Sequence, residues 1–267
     1  MRRKIPFVAL IVLLVAFCLL NSACGSEKTA AYYYNRGNNY FDLKEYDKAI
    51  VEYTKAIELY PNYAEAYNKR GFAYRFIEQY DKSLADHTKI IEFYPNDAEA
   101  YSNRAWIYDL LGEHEKEIAE YTKVIEIAPN DVNAYSNRAI AYREVGKYDL
   151  AIADYTKAIE INPDYIEVYL KLGEDYDNIG EYEKEVQNYT KAIELYSDDN
   201  FMYNYRGKAY HKLGEYEKAI QDFNKSIEIN PNYEEAYYNR GKCYEALGET
   251  VQAQSDYEKA KELGYKG

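Results

Sequence analysis

Val132–Tyr165 reads VNAYSNRAIAYREVGKYDLAIADYTKAIEINPDY, and its apolar spacing decides the fold. The pattern predicts one helix over Asn133–Val145 and a second over Tyr148–Ile161, joined at Gly146 and closed by Pro163. The same 34-residue frame restarts at Ala30, Ala64, Ala98, Val132, Ile166, Asn200 and Glu234 without an insertion. A fixed period of that length means stacked helical hairpins, because each unit can bury its apolar face only against its neighbours. The expected chain is therefore all-α, with seven repeats at 30–63, 64–97, 98–131, 132–165, 166–199, 200–233 and 234–267.

Individual repeat positions agree closely. Position 4 is Tyr throughout (Tyr33, Tyr67, Tyr101, Tyr135, Tyr169, Tyr203, Tyr237), as is position 11 from Tyr40 to Tyr244. Position 8 is always small (Gly37, Gly71, Ala105, Ala139, Gly173, Gly207, Gly241), and Pro61, Pro95, Pro129, Pro163 and Pro231 end five repeats. With these residues the chain resembles the tetratricopeptide-repeat family over everything except its first 29 residues. The resemblance implies an α-α superhelix (solenoid) in which the first helix of each pair lines a concave groove. It also implies a role in binding proteins or peptides.

Composition supports an ordered chain: 47% of residues are apolar and 30% charged, too apolar for a disordered polymer. Most of the 35 Tyr fall at positions 4, 11, 17 and 24, where a large ring can fill the wedge between helices while its hydroxyl reaches solvent. The first residues differ. Arg2, Arg3 and Lys4 precede an apolar run from Ile5 to Leu20 and then Asn21-Ser22-Ala23-Cys24, the layout of a secretory signal over 1–23. The run is short of the ~20 apolar residues that span a bilayer. Cys24 after Ser22-Ala23 resembles the lipidated cysteine of bacterial lipoproteins, although Asn21 stands where that motif prefers Leu. Residues 24–29 would then be a short tether, and the chain an envelope lipoprotein. The other readings are a soluble secreted or periplasmic protein and a retained anchor.

Loss of 1–23 removes three cations and shifts the formal charge from −13 to −16, which argues against a nucleic-acid partner. Of the three Cys, Cys18 would leave with the signal, so no structural disulfide is expected, and Cys243 reads as a small buried residue. Asn62, Asn96, Asn130, Asp164, Asp198 and Asn232 precede the next first helix and suggest a turn and an N-terminal cap. Lys at position 26 and Glu at position 29 recur in all repeats and suit a solvated face.

A cation at position 7 (Arg36, Arg70, Arg104, Arg138, Arg206, Arg240) goes with an acid at position 23 (Glu52, Asp86, Glu120, Asp154, Asp222, Asp256). The fifth repeat loses both, with Leu172 and Asn188 in their places, so an ion pair inside each repeat is expected. That repeat also has Asp175 where Ala is usual, Glu185 where Ala49, Ala151 and Ala219 stand, and Ser197 for Pro. A carboxylate at that crossing should loosen it or swing outward, and the fifth repeat reads either as neutral drift on a tolerant scaffold or as a hinge. Gln254 and Lys261 replace the apolar residues of positions 21 and 28, consistent with a capped array end.

Of the three His, His87 and His114 replace aromatic rings and look structural. No Cys/His cluster, phosphate loop or nucleophile motif appears, so no enzyme activity, cofactor, metal or small-molecule substrate is expected. By the family resemblance the groove is faced by positions 2, 5, 6, 9, 12 and 13. Asn35, Asn103, Asn137 and Asn239 at position 6, with Asn68 and Asn204 at position 5, could pair with a peptide backbone. Phe72, Phe76 and Trp106 supply apolar surface, and Lys208, His211 and Lys212 form a basic segment for an acidic partner. Glu65, Glu99, Glu167 and Glu235 stand where a carboxylate-gripping version of the family has Lys. The reading is a membrane-tethered protein-interaction scaffold, with a structural subunit of an envelope-assembly complex as its rival.

Overall fold

The computed structural model describes residues 29–266. The signal segment, Cys24 and the tether up to residue 28 lie outside the described residues, and Thr29 is already helical. Among the described residues there are fourteen helices and no strand. The first group is α1 (29–42), α2 (Tyr46–Leu59), α3 (Ala64–Phe76), α4 (Tyr80–Phe93), α5 (Ala98–Leu110) and α6 (His114–Ile127). The second is α7 (Val132–Glu144), α8 (Tyr148–Ile161), α9 (Ile166–Asn178), α10 (Tyr182–Leu195), α11 (Asn200–Lys212), α12 (Tyr216–Ile229), α13 (Glu234–Ala246) and α14 (Thr250–Glu262). They form two compact units that meet in sequence at Ala128 and Pro129. Each unit is a stack of helical hairpins, one hairpin per repeat, as the 34-residue frame predicts.

The hairpin turns follow from left-handed residues. Gly112 and Gly146 sit at φ 69° and 72°, and the Gly112 amide donates to the Asp109 carbonyl while Glu113 N–H reaches Tyr108. This paired closure satisfies the last carbonyls of α5. The first two repeats adopt the same geometry with Lys44 and Glu78, both at φ 60°. At the crossing of each hairpin, position 8 faces the ring of position 24. A Cβ on Gly71 would stand 2.9 Å from the His87 ring, and one on Gly207 would stand 2.7 Å from Phe223. The small residue is therefore a steric requirement of the hairpin.

The expected ion pairs form inside the repeats. Arg70 grips Asp86 through two nitrogens at 2.8 and 2.7 Å, and Arg104–Glu120, Arg138–Asp154, Arg206–Asp222 and Arg240–Asp256 repeat the fork. Arg36–Glu52 is looser, at 3.3 Å. The third nitrogen also reaches back one repeat: Arg70 donates to Thr54, Arg104 to Thr88 and Arg206 to Thr190. Each such Arg thus ties its own hairpin and the preceding one. In the fifth repeat Leu172 is buried in an apolar cluster with Tyr155 and Val168, and Asn188 donates to the Lys184 carbonyl.

Two expectations are corrected. The N-terminal caps are not the residues at position 33 but the next ones, where Asp97, Asp131 and Asp199 accept amides from α5, α7 and α11. That one-residue shift places the carboxylate at the extended N-cap backbone. Glu185 does not swing outward either: it stays 3% exposed at the α9–α10 crossing. Asp175, fully buried, is met by Arg143 from α7 at 2.6 Å, and Arg143 also donates to Glu174 at 2.8 Å. The lost Arg–acid pair of the fifth repeat is therefore replaced by apolar packing plus a different cation, supplied by the fourth repeat.

Candidate functional site

In the first unit the first helices α1, α3 and α5, with the start of α2, bring aromatic side chains together. Phe76 stacks on Tyr46 at 4.8 Å with an interplanar angle of 7°, and Phe41 lies edge-on at 5.7 Å. The Arg75 guanidinium lies 3.5 Å from the Trp106 ring centre, 4.8 Å from Phe76 and 5.6 Å from Phe72. Trp106 and Phe76 remain 43% and 49% exposed, and Leu110 is exposed beside them. Burial lowers the Arg75 pKa, and its Nε has no hydrogen-bond partner. The surface therefore offers large apolar area around a cation whose Nε is buried without an acceptor. Sequence reasoning misses Arg75. Its signal is position 12, where Arg75, Asp109, Arg143 and Asp177 alternate in sign over the second to fifth repeats.

The Asn expectation is corrected in part. Asn103 donates its amide to Asn68 Oδ1 at 3.0 Å, and Asn68 donates to Glu99 at 3.3 Å, along a pocket of about 170 Å³. The second unit repeats this: Asn239 donates to Asn204 at 3.1 Å, and buried Asn204 donates to the Tyr233 hydroxyl. These amides close repeat on repeat, because positions 5 and 6 of neighbouring first helices face each other. Asn35 is exposed and Asn137 half-buried, and neither belongs to the two ladders.

Lys208, His211 and Lys212 do converge. With Lys242, Asn239 and Phe223 they line a pocket of about 260 Å³ in the second unit. Lys208 pairs with Glu235 at 3.2 Å and Lys212 pairs with Asp177. Against the burial that would raise it, the Tyr233 hydrogen bond and the Lys208 charge hold the Glu235 carboxyl below its usual range. Burial lowers the His211 pKa, helped by Lys242 and Lys212, which favours the neutral imidazole.

His87 is the packed ring that the sequence predicts, 1% exposed and edge-on to Phe72, with burial lowering its pKa to about 4. Cys243 is fully buried, and its thiol is pushed up to about 12 by burial. His114 is not merely a ring substitute, because its Nδ1 meets Glu117 Oε2 at 3.0 Å.

The family models agree with this geometry. A TPR repeat model matches 37–75 and 207–248, and tetratricopeptide repeat models match 132–165, 98–131, 166–199 and 234–263. The chain belongs to the tetratricopeptide-repeat family. Proteins of this family act as interaction scaffolds. No curated protein matches the sequence. Among solved structures, a tetratricopeptide repeat protein from Parabacteroides merdae is 21% identical with a TM-score of 0.63, covering 90% of this chain and 94% of that one. YrrB, described as a TPR protein with an unusual peptide-binding site, is 24% identical with a TM-score of 0.60, covering 67% and 92%. MamA is 28% identical with a TM-score of 0.56, covering 58% and 91%.

Proposed function

We propose that the protein is a non-enzymatic scaffold of the bacterial cell envelope that holds partner segments on its first helices. The observation that carries this is the exposed Trp106–Arg75–Phe76 cluster in the first unit. Aromatic and Arg side chains of this kind dominate binding energy when a partner covers them. A segment with bulky apolar side chains and a carboxylate or carbonyl for Arg75 fits the cluster. An acidic segment fits the pocket lined by Lys208, Lys212 and Lys242 in the second unit. The peptide-binding site of YrrB is a precedent for the fold.

A photo-crosslinker placed beside Trp106 in native cells, followed by mass spectrometry, would identify the partner. Trp106→Ala should then weaken its binding at least tenfold, about 1.4 kcal/mol or more. Unchanged affinity would favour the rival reading, a structural subunit of an envelope-assembly complex that uses other surfaces.

Export and tethering belong to the same proposal and rest on the sequence of residues 1–24. With a lipid on Cys24, only Gly25 to Lys28 would separate the bilayer from α1, at most ~14 Å of extended chain. Cys24→Ser is expected to move the protein from the membrane fraction to the soluble one. Membrane retention of a processed Cys24→Ser protein would defeat the tether.

A further inference from the structure

The turn of the third repeat, Asp109 to Glu117, reads DLLGEHEKE. It carries an acid at the end of α5, an imidazole at the first position of α6, and a second acid one turn later. The i,i+3 spacing puts His114 and Glu117 on one face of α6, and their Nδ1 and Oε2 lie 3.0 Å apart. Glu117 is 4% exposed at a crossing where Ala49, Ala151 and Ala219 are fully buried. The left-handed turn at Gly112 returns the chain so that Asp109 joins them, and one donor atom from each of the three side chains lies within 4.8 Å of the others.

We propose that Asp109, His114 and Glu117 form a binding site for a late first-row divalent cation of the zinc class. One imidazole and two carboxylates are a borderline donor set, which suits Zn²⁺, Co²⁺ or Ni²⁺ better than Mg²⁺ or Ca²⁺. Ligand atoms around such an ion stand roughly 3.3 Å from one another, given metal–ligand bonds of about 2.0–2.1 Å. The His114–Glu117 separation is near that value already, and the exposed Asp109 side chain would move in to complete the set. Water completes the shell. The imidazole ligates through Nδ1 in its neutral form, with its one proton on Nε2. The bound ion joins the end of α5 to the start of α6, which closes the last hairpin of the first unit.

The chain contains its own control. The fifth repeat places Asp177, Tyr182 and Glu185 at the same three positions, so a phenol replaces the imidazole between the two acids. Tyr is also the residue at this position in the first, second, fourth and sixth repeats. His114→Tyr therefore removes a ligand while restoring the residue of the sister repeats, and it leaves every carboxylate of the chain in place. Unspecific attraction of cations to an acidic chain is the same in both proteins.

The test is calorimetric titration of the purified protein and of the His114→Tyr protein with Zn²⁺ at pH 7.5. The ring resonances of the three His are followed in parallel by NMR. The wild type should show one saturable site, with the His114 ring shifting while those of His87 and His211 stay put. His114→Tyr should lose that site by more than the about 10–100-fold that removal of an outer-shell partner costs, with unchanged thermal unfolding in chelator. A site that survives in His114→Tyr, or a wild type whose His114 ring ignores Zn²⁺, overturns the proposal.

Discussion

Arg70→Leu, made alone, is expected to weaken the α3–α4 hairpin by about 3 kcal/mol, whereas Arg70→Leu with Asp86→Asn should change it by less than about 1 kcal/mol. Asp86 is 5% exposed at its side chain and Arg70 15%, so both charges have left most of their water. Burial raises the Asp86 pKa even though Arg70 sits against it and opposes the shift. For Arg70 the balance tips the other way, since against burial Asp86 raises its pKa; with the two partners pulling in opposite directions, the pair is expected to add little net stability. Removing the cation alone leaves a buried carboxylate with nothing opposite it, and that is the expensive state. The double variant copies what the fifth repeat does naturally with Leu172 and Asn188, where the Leu is 2% exposed in an apolar cluster. Amide exchange over α3 and α4 reads the effect locally, which matters because a chain of two units need not unfold in one step. If the double variant exchanges as fast as the single one, the pair contributes real stability and the cancellation is wrong.

The ion pairs are legible in the sequence because loss of cation and acid in the same repeat requires a contact inside that repeat. The helices and turns are legible because a period of 34 repeats each local signal. The second role of the Arg residues, reaching Thr54, Thr88 or Thr190 one repeat back, is hidden: Thr is a common helix-surface residue and carries no complementary charge. The Asn residues at position 6 look free for a ligand because a single helix face cannot show what stands opposite it. Only the packing of first helix on first helix reveals that Asn68 and Asn204 consume the amides of Asn103 and Asn239. Arg75 escapes notice for a related reason. An Arg among aromatics reads as surface charge until the rings of Phe72, Phe76 and Trp106 are found around it. Asp175 looks like a defect in the fifth repeat, and its compensation comes from Arg143, which lies 32 residues earlier in a different hairpin.

The fifth repeat is expected to tighten on acidification, the reverse of the usual acid weakening of a fold. Burial pushes the Glu185 carboxyl up to about 7; Asp177 from α9 adds to the rise, while Lys212 and Lys208 from α11 oppose it. Its Oε2 has no hydrogen-bond partner. Burial likewise raises Asp175 to about 6, against Arg143. A carboxyl raised in the folded state holds its proton where the unfolded chain, near 4, has lost it. Between those values the folded state binds more protons, so stability falls as pH rises. The window therefore runs from about pH 4 to 7, and the ionised Glu185 burdens the α9–α10 crossing above it. At pH 8 the penalty is on the order of 3 kcal/mol, because a tenfold change in proton affinity between the folded and unfolded chain is worth about 1.4 kcal/mol. Amide exchange over Ile166–Asp199, corrected for its intrinsic pH dependence, should show stronger protection at pH 5 than at pH 8. Glu185→Ala restores the residue that sister repeats place there. It should raise protection at pH 8 by most of that amount and leave only the smaller dependence due to Asp175. Protection that is flat or rises between pH 5 and 8, or that ignores Glu185→Ala, would show that the carboxylate has found solvent or a cation, and that the fifth repeat is no weaker than its neighbours.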